Sequence, residues 1–276
     1  MSSFKPRQLV PFSPSVIAEF LGTCTLDIAE QFVRQLEPFA PGAIIHDNGC
    51  GGGAVTQAIM ATNPPESIRI KATDVNGAVI SGLIAQAATK SWPVDVSEMN
   101  STALTFPDNY FSHNILNFVV LQAWRDDAKM AGEMFRTLKS GGIAVVTTFE
   151  DLPTMKVFKS VYKRYRGADA EVPEMMQADW YRDQEVRKAL SKGGFAEANI
   201  KSERATTRVR VQSARRWCEI GWSLGGGPWE EKDENLWNEA IDYALEIFVG
   251  GSWWQADADG DGGWMELTAS VAVASK

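Results

Sequence analysis

The sequence predicts an α/β protein: a doubly wound, seven-stranded, mostly parallel sheet with a terminal antiparallel hairpin and a helical cap or insertion. Three observations predict it. Between residues 43 and 149, short β-branched runs alternate with segments whose apolar residues recur at helical spacing. A glycine-rich stretch, HDNGCGGGAV at 46–55, joins the first run to the first such segment, the connection expected at the carboxyl edge of a parallel sheet. Beyond residue 195, two long strand-like runs enclose two helical stretches, which ends the alternation.

Residues 14–37 place Ile17, Phe20, Leu21, Ile28, Phe32 and Leu36 at helical spacing behind a Ser13-Pro14 cap and first-turn pair. Gly22 is a weak point, so one broken helix or two is expected. The series that follows is strand 43–46, helix 54–61, strand 68–73, helix 78–88, strand near 92–96, strand 114–120, helix 126–138 and strand 143–149. Such crossovers put helices on both faces of the sheet. In LKSGGIAVVTTF, Lys139 closes a helix, Gly141-Gly142 caps it, and a β-branched run reads as a buried central strand. A helix over 183–192 then stops at Gly193-Gly194, a strand runs over about 195–211, helices occupy about 213–221 and 230–249, and WMELTASVAVAS closes as a strand. With no repeat, low-complexity tract or long linker, 1–276 is expected to form a single domain. Its parts are an N-terminal helical cap (1–40), a cofactor-binding core (41–150) and a C-terminal half (151–276) with an aromatic helical insertion at about 213–250.

The chain has 276 residues, 45% of them hydrophobic, enough for a sizeable core. A formal charge of -8 argues against a nucleic-acid backbone or an anionic membrane as the main partner. The N-terminus has no signal-like apolar run and no stretch is long enough to span a bilayer, so a cytoplasmic protein is expected. Cys24, Cys50 and Cys218 are few, odd in number and far apart, as reduced thiols are, and no metal-binding spacing occurs. Eight of the ten tryptophans lie beyond residue 150. The aromatic half is therefore the C-terminal one.

The glycine turn admits two readings. Gly49, Gly51 and Ala54 formally satisfy the dinucleotide pattern, so an NAD-linked oxidoreductase is one. Asp47 weighs against it: a phosphate at the helix N-terminus would face that carboxylate, and like charges about 4 Å apart repel by roughly 4 kcal/mol at an effective dielectric near 20. A cationic ligand is favoured. S-adenosylmethionine has no phosphate but carries a sulfonium and an ammonium. Asp74, 21 residues after Gly53, is placed to accept from the ribose hydroxyls of an adenosine under either reading.

With those residues in view, the sequence resembles the class I S-adenosylmethionine-dependent methyltransferases over about residues 40–150. IIHDNGCGGG looks like their first motif, ATDVN like the acidic second, MNSTALTFPDNYFSHNILNFVVL like the adenine-contacting segment and the strand after it, and MFRTLKSGGIAVVTTF like the helix and strand that follow. HDNGCGGGAV, LTFPDN and MELTASVAVASK are also similar to fungal small-molecule methyltransferases of secondary metabolism. The resemblance implies a Rossmann-like fold, S-adenosylmethionine as cofactor and S-adenosylhomocysteine as product. It carries cofactor contacts to Asp47, Asn48, Gly49, Gly51, Gly53, Asp74, Val75, Met99, Asn100, Ser101, Asn117 and Phe118. Asn100 stands where the family often has Asp, and its amide oxygen is expected to accept from the adenine amine. Met99 would lie along the adenine ring, and Asn117-Phe118 would line the methionine part.

Methyl transfer needs alignment and exclusion of water more than a strong base. His113 and His46 are expected to be structural, and no catalytic residue is assigned; Glu150 or Tyr181 would be assisting groups from outside the motifs. Without a histidine base, easily ionised or neutral basic acceptors such as thiols, amines, phenols and enols are favoured. Phe4, Phe12, Trp124, Trp180, Tyr181 and Trp222 are the candidate substrate walls, which suggests a bulky aromatic small molecule. A cofactor-retaining regulator or non-methylating catalyst on the same fold is the alternative. Lys201, Arg204, Arg208, Arg210, Arg215 and Arg216 read as the solvated face of an edge strand, and DADGDGGWMELT as a polar hairpin turn that lacks the Glu of a calcium loop.

Overall fold

The computed structural model describes residues 4–36, 38–119, 127–173, 176, 183–258 and 260–276. The strands are β1 (Ile44–Asn48), β2 (Arg69–Asp74), β3 (Val94–Glu98), β4 (Phe111–Asn117), β5 (Leu138–Asp151), β6 (Ile200–Val211), β7 (Trp254–Ala256) and β8 (Gly263–Ser275). The helices are α1 (Pro14–Leu21), α2 (Cys24–Leu36), α3 (Ala54–Ala61), α4 (Gly77–Lys90), α5 (Asp127–Thr137), α6 (Pro153–Arg166), α7 (Asp183–Lys192), α8 (Ala214–Gly225) and α9 (Glu231–Val249).

The sheet order is β3-β2-β1-β4-β5-β8-β6, with β7 paired to β8. Strands β1 to β5 are parallel to one another. The order reverses between β1 and β4, so their carboxyl ends flank the crevice where ligands of such sheets bind. At the other end of the order, Gly141 donates to the Lys276 carbonyl (2.9 Å) and Lys276 donates to that of Gly142 (3.0 Å). Asn199 Nδ2 donates to the Ser275 carbonyl (3.3 Å). Both contacts set the end of β8 beside the start of its neighbour, which is the antiparallel arrangement. The expected seven strands are present, and β7 is an eighth, forming with β8 the hairpin around the acidic turn.

Several boundaries differ from expectation for local reasons. The break in the first helix is real: Ser13 Oγ caps α1 by accepting from Val16, and Gly22, at φ +58, separates α1 from α2. Lys139 lies in strand rather than helix. α5 ends at Thr137, and Gly141 (φ +75) and Gly142 bend β5 instead of capping a helix. A Cβ on Gly142 would sit 2.9 Å from the Lys139 carbonyl, so that bend excludes a side chain. Helix α6 was not anticipated.

By contacts the chain forms two compact units, each drawn from three segments. One comprises Thr25–Glu150, Asp179–Ala205 and Ala269–Lys276. There, Met130 and Met134 of α5 and Val186 and Leu190 of α7 pack on Phe111, Leu116, Val146 and Ala272 of the sheet. On α4, Ile80 and Leu83 pack with Cys50 and Ala72. Burial of such side chains contributes about 1.5–3 kcal/mol each.

The other unit comprises Met1–Cys24, Asp151–Ala178 and Thr206–Thr268. Trp217 stacks on Phe20 (4.9 Å) and Phe248 (4.2 Å), and Phe158 of α6 stacks on Trp217 (5.6 Å) and Trp222 (6.4 Å). The aromatic enrichment thus builds a core. Beneath it Arg166 forms a bidentate ion pair with Asp233 at 2.5 and 2.9 Å, both side chains buried. The arginines after residue 200 are tied down on edge strand β6 and on α8: Arg210 to Asp257 at 2.6 Å, Arg208 to Gln255, Arg215 to Asp242 and Arg216 to Glu19 at 3.2 Å. Asp257, first in the calcium-like run, is therefore engaged by Arg210. No cluster of three potential metal ligands occurs among the described residues, and none of their helices is long and apolar enough to cross a membrane.

Candidate functional site

The carboxyl end of β1 runs into the glycine turn, and the turn is pinned to β2. Gly49 and Cys50 both donate to the Thr73 carbonyl, at 2.7 and 2.8 Å. Gly49 (φ +74) and Gly53 (φ +85) are glycine for steric reasons: a Cβ would stand 2.3 Å from Val119 Cγ2 and 2.5 Å from Leu83 Cδ1, respectively. Gly51 and Gly52 are different, because a Cβ on either meets nothing within 4 Å. The tip of the turn therefore borders open volume while its two ends are packed.

Asp47 lies beneath that tip, 1% exposed. Its Oδ2 accepts from the Thr56 backbone N–H (3.0 Å) and hydroxyl (2.7 Å), so it satisfies the first turn of α3 in place of a side chain at the Gly53 cap. Burial pushes its carboxyl up from 3.8 to about 6; the Thr56 bonds oppose that rise and the Asp74 charge adds to it. Asp74, half-buried at the end of β2, accepts from Gly51 N–H on Oδ2 (2.9 Å) and from Asn76 N–H on Oδ1 (2.9 Å). Each oxygen keeps a free lone-pair direction, enough for a diol. Glu98 is its register partner on β3, a second carboxylate at this edge that the motifs did not indicate.

The residues expected around the adenine divide. Val75 is 65% exposed beside Asp74. Met99 is held by donation of its N–H to the Asp74 carbonyl (2.9 Å). Asn100 corrects the expectation: its amide oxygen already accepts from both the N–H and the hydroxyl of Thr102, each at 2.9 Å. Both lone pairs are filled, so its oxygen is not free for an adenine amine. Asn48 is fully buried, its amide donating to Asn114 (3.3 Å) and its oxygen accepting from Ser101 (2.7 Å). It supports Ser101 from below and does not face the open volume.

At the end of β4, Phe118 has φ +58, a conformation that an aromatic residue rarely adopts. Thr147 of β5 holds it there, accepting from the Phe118 N–H (2.9 Å) while donating to Asn117 Oδ1 (2.7 Å). Asn117 in turn donates to the Thr25 carbonyl (3.1 Å), and Phe118 stacks on Phe149 at 4.2 Å. Thr56, Thr73 and Thr147, none of them anticipated, therefore shape the site. Their only sequence signal is a hydroxyl next to a glycine turn or at the end of a buried strand.

Both histidines are packed against aromatic rings. His46 is fully buried, stacked on Phe111 (4.7 Å) with Nε2 2.9 Å from the Thr73 hydroxyl, and burial lowers it from 6.5 to about 3. His113 is lowered to about 4 by the same cause. The candidate substrate walls are redistributed. Trp222 is 2% exposed within the Phe158–Trp229 stack, which removes it from any binding surface. Phe12 is 72% exposed and Phe4 half-buried. Trp124, Trp180 and Tyr181 lie outside the described residues.

Comparison with known proteins fits this geometry. A family model described as a methyltransferase domain matches residues 46–146. Methyltransferase tpcH of Aspergillus fumigatus is 21% identical, covering 64% of this chain and 66% of its own. Methyltransferase ktnA of Aspergillus niger is 23% identical, covering 64% and 67%. The chain thus spans about two thirds of the length of these curated relatives. Among solved structures, YcgJ of Bacillus subtilis superposes with a TM-score of 0.60 at 14% identity, covering 90% of this chain and 98% of its own. A Haemonchus contortus phosphoethanolamine N-methyltransferase, solved with phosphomonomethylethanolamine and S-adenosylhomocysteine, gives 0.58 at 15% identity, covering 95% and 57%. The stretch that carries the switch-point glycine turn and the carboxylate at the end of β2 is thus the one that matches a methyltransferase domain.

Proposed function

We propose that this enzyme methylates a heteroatom (O, N or S) of a bulky, aromatic small molecule in secondary metabolism. The observation that carries the cofactor assignment is the open tip at Gly51-Gly52, set between the buried Asp47 and the half-buried Asp74. Two carboxylates there suit a ligand with cationic centres and a ribose diol, and disfavour a pyrophosphate. In this reading Gly49, Gly51 and Gly53 shape the cradle and Asp74 accepts from the ribose. Val75, Met99 and Ser101 border the adenine, and Asn117 and Phe118 the methionine part. The cofactor supplies a methyl carbon already activated by its sulfonium. The chain's own residues then have to orient the acceptor and exclude water. Fungal relatives support the secondary-metabolite setting. Both histidines are held neutral by burial, His46 fully buried and His113 half-buried, which favours phenols, enols, thiols and amines over unactivated alcohols.

Calorimetry with S-adenosylhomocysteine and NAD tests the cofactor assignment. Binding of the former, lost in Asp74→Ala, is expected; stabilisation by NAD alone would overturn it. Incubation with methyl-labelled S-adenosylmethionine and a panel of phenols, thiols and amines then reads the acceptor class. Tight cofactor binding with no labelled product from any member would favour a non-methylating role.

A further inference from the structure

The end of β5 carries two polar groups that the cofactor cradle does not use. Strand alternation puts Thr147 and Phe149 on one face, where they hold Asn117 and Phe118. Thr148 and Glu150 lie on the other face, about 7 Å apart along the backbone. Thr148 is 1% exposed, and its hydroxyl has no hydrogen-bond partner among the described residues. Glu150 gives one oxygen to Arg204 at 2.5 Å, while its Oε2 is buried without a partner among the described residues. Native structures rarely leave two neighbouring buried oxygens unmade unless something else fills them. His46 Nδ1 also has no partner among the described residues, but aromatic rings enclose it. Thr148 and Glu150 are at the carboxyl end of the strand next to β4, one and three residues past the Asn117–Thr147 register pair. Glu150 keeps 23% of its side chain exposed, which leaves a way in.

We infer that Thr148 and Glu150 form a hydroxyl-recognition site for the methyl acceptor, an inference that rests on the methyltransferase reading for the identity of that ligand. The two residues are complementary in role. Glu150 Oε2 can only accept, so it takes the ligand's O–H; the Thr148 hydroxyl donates to the same ligand oxygen. Arg204 fixes which carboxylate oxygen is left over. A phenolic or enolic hydroxyl satisfies both groups at once, whereas an ether oxygen can only accept and leaves Glu150 unpaired.

The test measures binding of 1-naphthol and of 1-methoxynaphthalene by fluorescence titration, with and without S-adenosylhomocysteine, to the wild type, Thr148→Val and Glu150→Gln. The wild type should prefer the naphthol by roughly tenfold, the worth of one hydrogen bond. Thr148→Val should weaken naphthol binding by a similar factor. In Glu150→Gln, Arg204 selects the amide oxygen, so the amide NH2 takes the place of Oε2 and the preference should shift toward the methoxy compound. That reversal is not produced by loosening of the strand. Affinity for S-adenosylhomocysteine should be unchanged in both variants. Absence of naphthol binding, or an unchanged preference in the variants, overturns the proposal. If S-adenosylhomocysteine fails to bind while the naphthol preference and its reversal persist, the methyltransferase reading falls and the hydroxyl site stands.

Discussion

Asp47 holds the first turn of α3 through Thr56 and contributes negative charge beneath the glycine turn, and these two roles conflict energetically. Its burial raises the carboxyl from 3.8 to about 6, a shift equivalent to about 3 kcal/mol. A carboxyl with a raised folded-state value contributes stability that is fully present below the unfolded 3.8 and lost as pH rises through about 6. At pH 8 the charge is therefore a burden on the empty protein. Asp47→Asn retains an oxygen for both Thr56 donors and removes the charge. Thermal unfolding should show the variant more stable than wild type at pH 8, with the gap closing below pH 4, while calorimetry shows S-adenosylmethionine bound more weakly. A variant that binds the sulfonium compound as well as wild type would refute the electrostatic role. The glycines divide in the same way between fold and ligand. Gly53→Ala meets Leu83 at 2.5 Å with φ at +85 and should lose roughly 1–3 kcal/mol of stability in denaturant titrations. Gly52→Ala enters open space; it should unfold like wild type but bind S-adenosylhomocysteine more weakly, and equal affinity would mean the ligand sits elsewhere.

At the level of elements, the join between β4 and β5 is the most stressed part of the site. Thr147 is the one hydroxyl that both accepts from the Phe118 N–H and donates to Asn117. Thr147→Val keeps the strand's β-branched shape but leaves Asn117 Oδ1 without its donor and Phe118 with only the longer 3.3 Å bond to the Thr147 carbonyl. A loss of about 1–3 kcal/mol in urea unfolding is expected, with weaker cofactor binding; no change in either would mean that Phe118 keeps its backbone conformation unaided. None of this coupling was legible in the sequence, because it depends on the β4–β5 register and not on either strand alone. The order of strands and helices to residue 150 was legible, since each crossover repeats the same switch between periods of two and 3.6. Helix α6 carried a readable signal: Pro153 at its start, with Val157, Phe158, Val161 and Tyr162 at helical spacing, though Lys156, Lys159 and Lys163 interleave. Strand β7 did not, because three residues are too few to show a period. Asn100 misled for a local reason, as Asn-Ser-Thr is a turn former whose side chain prefers its own backbone. The tryptophans misled for a global one: an aromatic-rich segment looks the same in sequence whether it lines a ligand or packs on itself.

For the molecule as a whole, pH integrates these buried groups, and the histidines and Asp47 act in opposite directions. His46 is lowered from 6.5 to about 3 by burial. A base with a depressed folded-state value contributes stability that is present above 6.5 and lost as pH falls toward that lower value. Between pH 6.5 and 4.5 this amounts to about 2 kcal/mol for His46, and His113, lowered to about 4, adds to the loss. Asp47 gains a proton more readily in the folded state and returns about 2 kcal/mol over the same range. Domains are typically stable by only 5–15 kcal/mol, so a net loss of a few is a large share. The unfolding midpoint should fall steadily from pH 7 to 4.5. His46→Leu separates the terms: it leaves the Thr73 hydroxyl with one partner fewer and is expected to be less stable than wild type at pH 7, yet it has no proton to take up. Urea titrations at pH 7, 5.5 and 4.5 should therefore bring the two proteins together or make them cross as the solution is acidified. Parallel stability profiles across that range would show that the imidazole reaches solvent and titrates near its ordinary value, and that the aromatic enclosure of Phe106 and Phe111 around β1 is looser than its stacking indicates.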